Sequence, residues 1–124
     1  MDVEFSVLLG KTLTKIEGGV GDDSMRFMTD QGEVFELYHE QDCCESVLVE
    51  DISGDLWSIL GYQILVAEEV SSDKNPPGYN AGEFQDSFTW TFYKLSTVKG
   101  SVTIRWYGES NGFYSESVYF RKIA

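Results

Sequence analysis

The last third of the chain alternates large apolar and polar side chains most clearly, and this pattern constrains the fold more than any other feature. Phe88, Trp90 and Phe92 alternate with Thr89, Thr91 and Tyr93. After a break at Lys99-Gly100, Val102, Ile104 and Trp106 alternate with Thr103, Arg105 and Tyr107, and Val118 and Phe120 alternate with Tyr119 and Arg121. Successive side chains of a strand point to opposite faces, so each run reads as a half-buried strand. Asn111-Gly112, within the turn Gly108–Phe113, is a hairpin signal because both residues tolerate the positive φ of a tight turn. The expectation is a three-stranded antiparallel meander with one apolar and one polar face.

Upstream, Thr12–Glu17 reads as a strand and Gly18–Asp23 as a turn. Ser24–Thr29 and Val34–His39 flank Asp30-Gln31-Gly32-Glu33 and form a second hairpin. Cys44–Asp51 carries the apolar run Val47-Leu48-Val49 and reads as a buried strand, and Gln63–Val70 as another. Ser53–Gly61 differs: Ser53 or Asp55 can cap a helix, Leu56, Ile59 and Leu60 recur at helical spacing, and Gly61 can end it. Phe5–Leu9 is either a helical turn or an edge strand. Ser71–Asp86 holds both prolines and reads as a long loop, functional or mobile. The chain is therefore read as a single domain over residues 1–124, mainly β, with α+β as the alternative. About seven strands and one short helix suit an antiparallel roll, barrel or sandwich. A roll or barrel with the helix as plug or lid is favoured.

Nine Lys and Arg face 21 Asp and Glu, a net charge of −12. That excludes docking on nucleic-acid phosphates, which takes clustered cations, and on an anionic membrane surface. The charge serves solubility in the plain reading and a basic partner, as a mimic of DNA charge, in the sharper one. Eight Phe, seven Tyr and three Trp supply a core, so disorder is not expected. Met1-Asp2-Val3-Glu4 is acidic where a signal peptide is basic, and no apolar run is long enough to span a bilayer. Cys43 and Cys44 are adjacent, and neighbouring cysteines make only a distorted ring if joined, so they read as free thiols of a reducing compartment. The expected location is cytoplasmic.

Two constellations carry chemistry. His39, Asp42, Cys43, Cys44 and Glu45 gather imidazole, carboxylates and thiols just after a hairpin strand. Imidazole and thiolate suit zinc or another transition metal. However, adjacent cysteines of an extended segment point to opposite faces, and the spacing matches no zinc finger. Structural packing is the plainer reading, and a Cys–His nucleophile pair the remotest. The second constellation is Arg105 through Glu116. Arg105, Tyr107, Glu109, Ser115 and Tyr114 would lie near one another across paired strands, with Asn111 and Glu116 beside them. An arginine beside aromatics can hold a phosphate or carboxylate or stack on a base. The plainer reading is a solvated hairpin face. The sequence holds no phosphate loop with its lysine, no serine elbow and no two-histidine helix motif.

The run His39–Glu45 with Ser46–Ile52, then Thr89–Tyr93 and Arg105–Glu116, resembles a small domain family of unknown function met in bacteriophage and bacterial genomes. The resemblance covers residues 12 to 121. It brings no activity, but it implies a phage or prophage accessory protein that works in a host cytosol by binding a host protein or a small ligand.

The leading expectation is a non-enzymatic binding protein with contacts at Arg105, Tyr107, Glu109, Asn111, Tyr114 and Glu116. A metal-dependent hydrolase using the His39–Glu45 segment is the second, and a structural or assembly protein the third. No cofactor is specified, and an exposed sheet edge leaves a homodimer open.

Overall fold

Eight strands form in the computed structural model, which describes residues 2–80 and 85–124. They are β1 (Leu13–Glu17), β2 (Ser24–Thr29), β3 (Val34–Tyr38), β4 (Ser46–Ser53), β5 (Val66–Ser72), β6 (Ser87–Thr97), β7 (Gly100–Ser110) and β8 (Tyr119–Lys122). They make two four-stranded antiparallel sheets, ordered β1-β2-β3-β8 and β4-β7-β6-β5. The mainly-β expectation holds. The favoured roll or barrel does not, because neither sheet closes on itself and the arrangement is sandwich-like.

The core is filled from both sheets. Met25, Phe27, Phe35, Leu37 and Phe120 come from the first, and Val49, Tyr93, Leu95, Ile104 and Trp106 from the second. Phe5, in a 3-10 turn at Phe5–Leu8, sits between them: its ring is 5.1 Å from Phe120 and 4.8 Å from Tyr93, centroid to centroid. The plug is therefore this turn near the N-terminus. The helix expected over Ser53–Gly61 is only a 3-10 turn, Leu56–Ile59. Asp55 caps it by accepting the Trp57 N–H at 2.9 Å, and the Gly61 N–H already bonds to the Leu13 carbonyl at 2.8 Å. So few residues cannot offset the cost of nucleating an α-helix.

The expected meander is corrected at its third strand. β6 and β7 pair along their whole length, but β8 crosses to the other sheet and pairs with β3, with Leu37 opposite Phe120. Asn111-Gly112 thus opens a connection between sheets. This connection returns close against β7: a Cβ on Gly108 would stand 2.7 Å from the Glu116 carbonyl oxygen.

The face of β6 is the second correction. Tyr93 lies opposite Ile104, and Leu95 opposite Val102. Because directly opposed residues share a face, these pairs point Thr91, Tyr93 and Leu95 into the core. Phe88, Trp90 and Phe92, which the alternation marks as the apolar face, therefore point outward.

Candidate functional site

The outward side of β6 meets the outward side of β7 residue by residue. Phe88 stands opposite Glu109, Trp90 opposite Tyr107 and Phe92 opposite Arg105. The Trp90 and Tyr107 rings are 4.5 Å apart, and the Arg105 guanidinium lies 5.1 Å from the Trp90 ring centroid. Trp90 is 0% exposed, yet it stands outside the cluster that fills the sandwich. What seals it is the segment after β5. Tyr79 packs edge-on against Trp90 at 4.9 Å, and Asn75 Oδ1 accepts the Trp90 Nε1–H at 3.0 Å. Asn75 and Gln85 exchange two amide bonds, of 2.8 and 3.0 Å, which tie the two ends of this loop together. Residues 81–84 of the loop expected over Ser71–Asp86 lie outside the described residues.

The polar groups of this face are largely committed to one another. Arg105 gives Nε and Nη2 to the two oxygens of Glu50, at 2.7 and 2.9 Å. Such a two-pronged pair uses the fork that would grip a phosphate or carboxylate, so the anion-holding role expected of Arg105 requires this pair to open. Tyr107 donates to Glu109 Oε2 at 2.8 Å and accepts from Gln85 Nε2 at 2.7 Å. Burial, together with the Glu109 carboxylate, pushes the Tyr107 hydroxyl up to about 12, against the smaller pull of Gln85, so it remains a donor near neutrality. On either side of this row, Leu48, opposite Tyr107, and Val70, opposite Phe92, are exposed.

Three of the six expected contact residues share this platform: Arg105, Tyr107 and Glu109. The other three sit on the connection to β8. Asn111 Oδ1 accepts the Phe113 N–H at 3.0 Å, which makes a local turn. Tyr114 is half-buried there, and Glu116 accepts from Thr89 Oγ1 at 2.8 Å and from Ser110 Oγ. Tyr79, Asn75, Gln85 and Glu50 belong to the platform without a sequence signal for it, and Trp90 reads in the sequence only as part of the apolar face of its strand. The pairing of Leu95 with Val102 is the signal that places Trp90, and it lies outside the alternating run itself.

The His39–Glu45 segment is a folded turn. His39 Nδ1 is 2.7 Å from the Ser117 carbonyl and Nε2 is 2.8 Å from Glu45 Oε2. Glu45 also accepts the N–H groups of Asp42 and Cys43, both at 2.9 Å, and Gln41 Nε2 at 3.1 Å. Burial raises the Glu45 carboxyl, but bonds from the Cys43 N–H, His39, the Asp42 N–H and its own backbone outweigh it and hold the group at about 2. These bonds engage the ring nitrogens of His39 and the carboxylate oxygens of Glu45 that metal ligation would need. Cys43 and Cys44 are joined in a disulfide, which corrects the reading of free thiols and removes its support for a reducing compartment. Asp42 is exposed at the tip. Among the described residues, no group of three or more His, Cys, Asp and Glu side chains is placed to hold a metal ion.

A family model, a domain of unknown function called DUF7448, matches residues 6–120. The chain belongs to the DUF7448 family. The match spans both sheets of this DUF7448 domain, including the platform and the His39–Glu45 turn. No curated protein and no solved structure matches the chain. No helix among the described residues of the DUF7448 chain is long and apolar enough to cross a membrane.

Proposed function

We propose that the chain is a non-enzymatic binding protein whose contact surface is the outer face of the β4-β7-β6-β5 sheet. One observation carries the reading: the bulky apolar side of β6 is turned away from the core. Phe88, Phe92 and Tyr107 are half-buried on that side around the covered Trp90, and the exposed Leu48 and Val70 flank them. A face of aromatics with a polar rim is the composition of a protein contact patch. Glu50, Glu109 and the net charge of −12 favour a basic partner over an anionic one. The resemblance of the sequence to phage and bacterial domains extends the proposal to a phage or prophage accessory protein acting on a host protein in the host cytosol.

The test is capture from a bacterial lysate by the tagged chain, compared with Leu48→Asp/Val70→Asp, two changes at exposed positions that leave the core intact. A partner held by the parent chain, lost with the variant and weakened by salt supports the reading. A partner held equally by both, or none at all, overturns it.

A further inference from the structure

We infer a second interaction surface: the free edge of β1, beside Trp57, takes an extended peptide segment of a partner protein as an added antiparallel strand, with basic residues at the amino end of that segment. This surface is distinct from the platform on the other sheet and does not depend on it.

The argument starts from how the four sheet edges are treated. β8 is covered by the N-terminal residues: Val3 N–H bonds to the Phe120 carbonyl at 3.0 Å, and Asp2 bridges to Arg121. β4 is covered by the turn before β2, through Gly21 N–H to the Val49 carbonyl at 2.8 Å and Val49 N–H to the Asp22 carbonyl at 2.9 Å. The Phe5–Leu8 turn packs on β5. β1 is covered only at its start, where Ile64 N–H bonds to the Lys11 carbonyl and Gly61 N–H to the Leu13 carbonyl, both at 2.8 Å. From Thr14 to Glu17, no backbone group pairs outside the β1–β2 ladder among the described residues. An uncovered edge is a template for another strand.

Beside this edge runs a groove of about 300 Å³, walled by Thr14, Lys15 and Ile16 on one side and by Leu56, Trp57 and Leu60 on the other. Ile16, Leu56 and Leu60 are half-buried against the core, so the floor is fixed and apolar. Trp57 is 81% exposed, although the capped turn that carries it buries Ile59 fully. The turn is thus anchored while its largest side chain stands in solvent along the groove. An extended peptide supplies what both features lack: backbone partners for the edge, and alternate apolar side chains for Ile16 and Trp57.

Charge sets the polarity of the occupant. At the Gly18 end of the groove a second depression is lined by Glu17, Asp22 and Asp23, with Arg26 on its wall bonded to Glu36 at 3.2 Å. An antiparallel strand on β1 brings its amino end to this acidic patch, where basic residues are favoured. The same charge argues against a second copy as occupant, since each copy carries −12.

The probe is a synthetic peptide with valines at alternate positions and two arginines at its amino end, titrated into the ¹⁵N-labelled full chain. Amide shifts at Thr14–Gly18 and the Trp57 indole, lost when alternate peptide nitrogens are methylated, are expected. Trp57→Ala, a surface change, should weaken binding about tenfold. Moving the arginines to the carboxyl end should weaken it as well. The proposal is overturned by shifts confined to Leu48, Val70 and Tyr107, by equal binding of the methylated peptide, by concentration-dependent dimers that occupy β1, or by no binding. None of these outcomes counts against the platform, and the first would support it as a binding face.

Discussion

His39 Nε2 and Glu45 Oε2 meet at 2.8 Å, and their side chains are 1% and 0% exposed. The same imidazole reaches the Ser117 carbonyl through its other nitrogen, so one ring ties the turn before β4 to the connection before β8. Both ring nitrogens face oxygen atoms.

Removing that ring should therefore cost far more than a surface change. His39→Ala leaves the Ser117 carbonyl without this partner and removes one of several bonds to the Glu45 carboxylate, and a loss of about 1–3 kcal/mol is expected, as for buried polar groups that lose a partner. The midpoint of urea unfolding, with an unchanged slope, checks it.

Acid should loosen the same turn. The Glu45 carboxyl is held at about 2, below its ordinary value of 4.5. Its lowered value means that its stabilisation is fully present above the ordinary value and fades as pH falls from about 4.5 toward 2. Melting temperatures recorded across that window should fall for the parent chain, and fall less steeply for Glu45→Gln, which starts from a lower stability.

Gly108 should not tolerate even one added methyl group. Its Cβ would stand 2.7 Å from the Glu116 carbonyl oxygen and 2.9 Å from the Glu116 Cβ, so backbone has to move. Gly108→Ala is expected to lose about 1–3 kcal/mol, the usual cost of overpacking. The bonds from Thr89 and Ser110 to Glu116 should weaken with it, and faster hydrogen exchange of the amides around Glu116 would show the loosening.

Tyr79→Ala should open the cover of Trp90 without unfolding the sandwich, because Trp90 lies outside the core cluster. Faster amide exchange over residues 73–80 and a red-shifted tryptophan emission are expected, with a global stability change below about 1 kcal/mol. A cooperative loss of the whole fold would show instead that this loop is part of the core.

Much of the fold was legible because strand alternation is a local property. β2 was read to the residue, and β3 and β1 to within one residue at one end. The errors share a cause, which is that alternation says nothing about partners. It could not tell that Tyr93 rather than Trp90 faces the core, since both faces of β6 are aromatic and only the register against Val102 and Ile104 decides. Nor could Asn111-Gly112 show that the chain after it leaves for the other sheet. The site was half legible for the same reason. Arg105, Tyr107 and Glu109 share a face by period alone, whereas Glu50, Asn75 and Tyr79 reach it through tertiary folding. Adjacency alone does not reveal the Cys43–Cys44 link.

The path of β8 also bears on how the chain is made. The hairpin of β2 and β3 is made before the other sheet, but the strand that completes its own sheet, with Phe35 opposite Lys122, follows all four strands of that other sheet. Until β8 has been made, β3 lacks its edge partner and Phe120 is missing from the ring cluster around Phe5. The four strands of the other sheet lie together in the sequence and can pair before β8 is made, so the first sheet is the later of the two to be completed. A chain ordered this way closes its sandwich only once β8 joins β3, and an intermediate with that edge open is a target for chaperones.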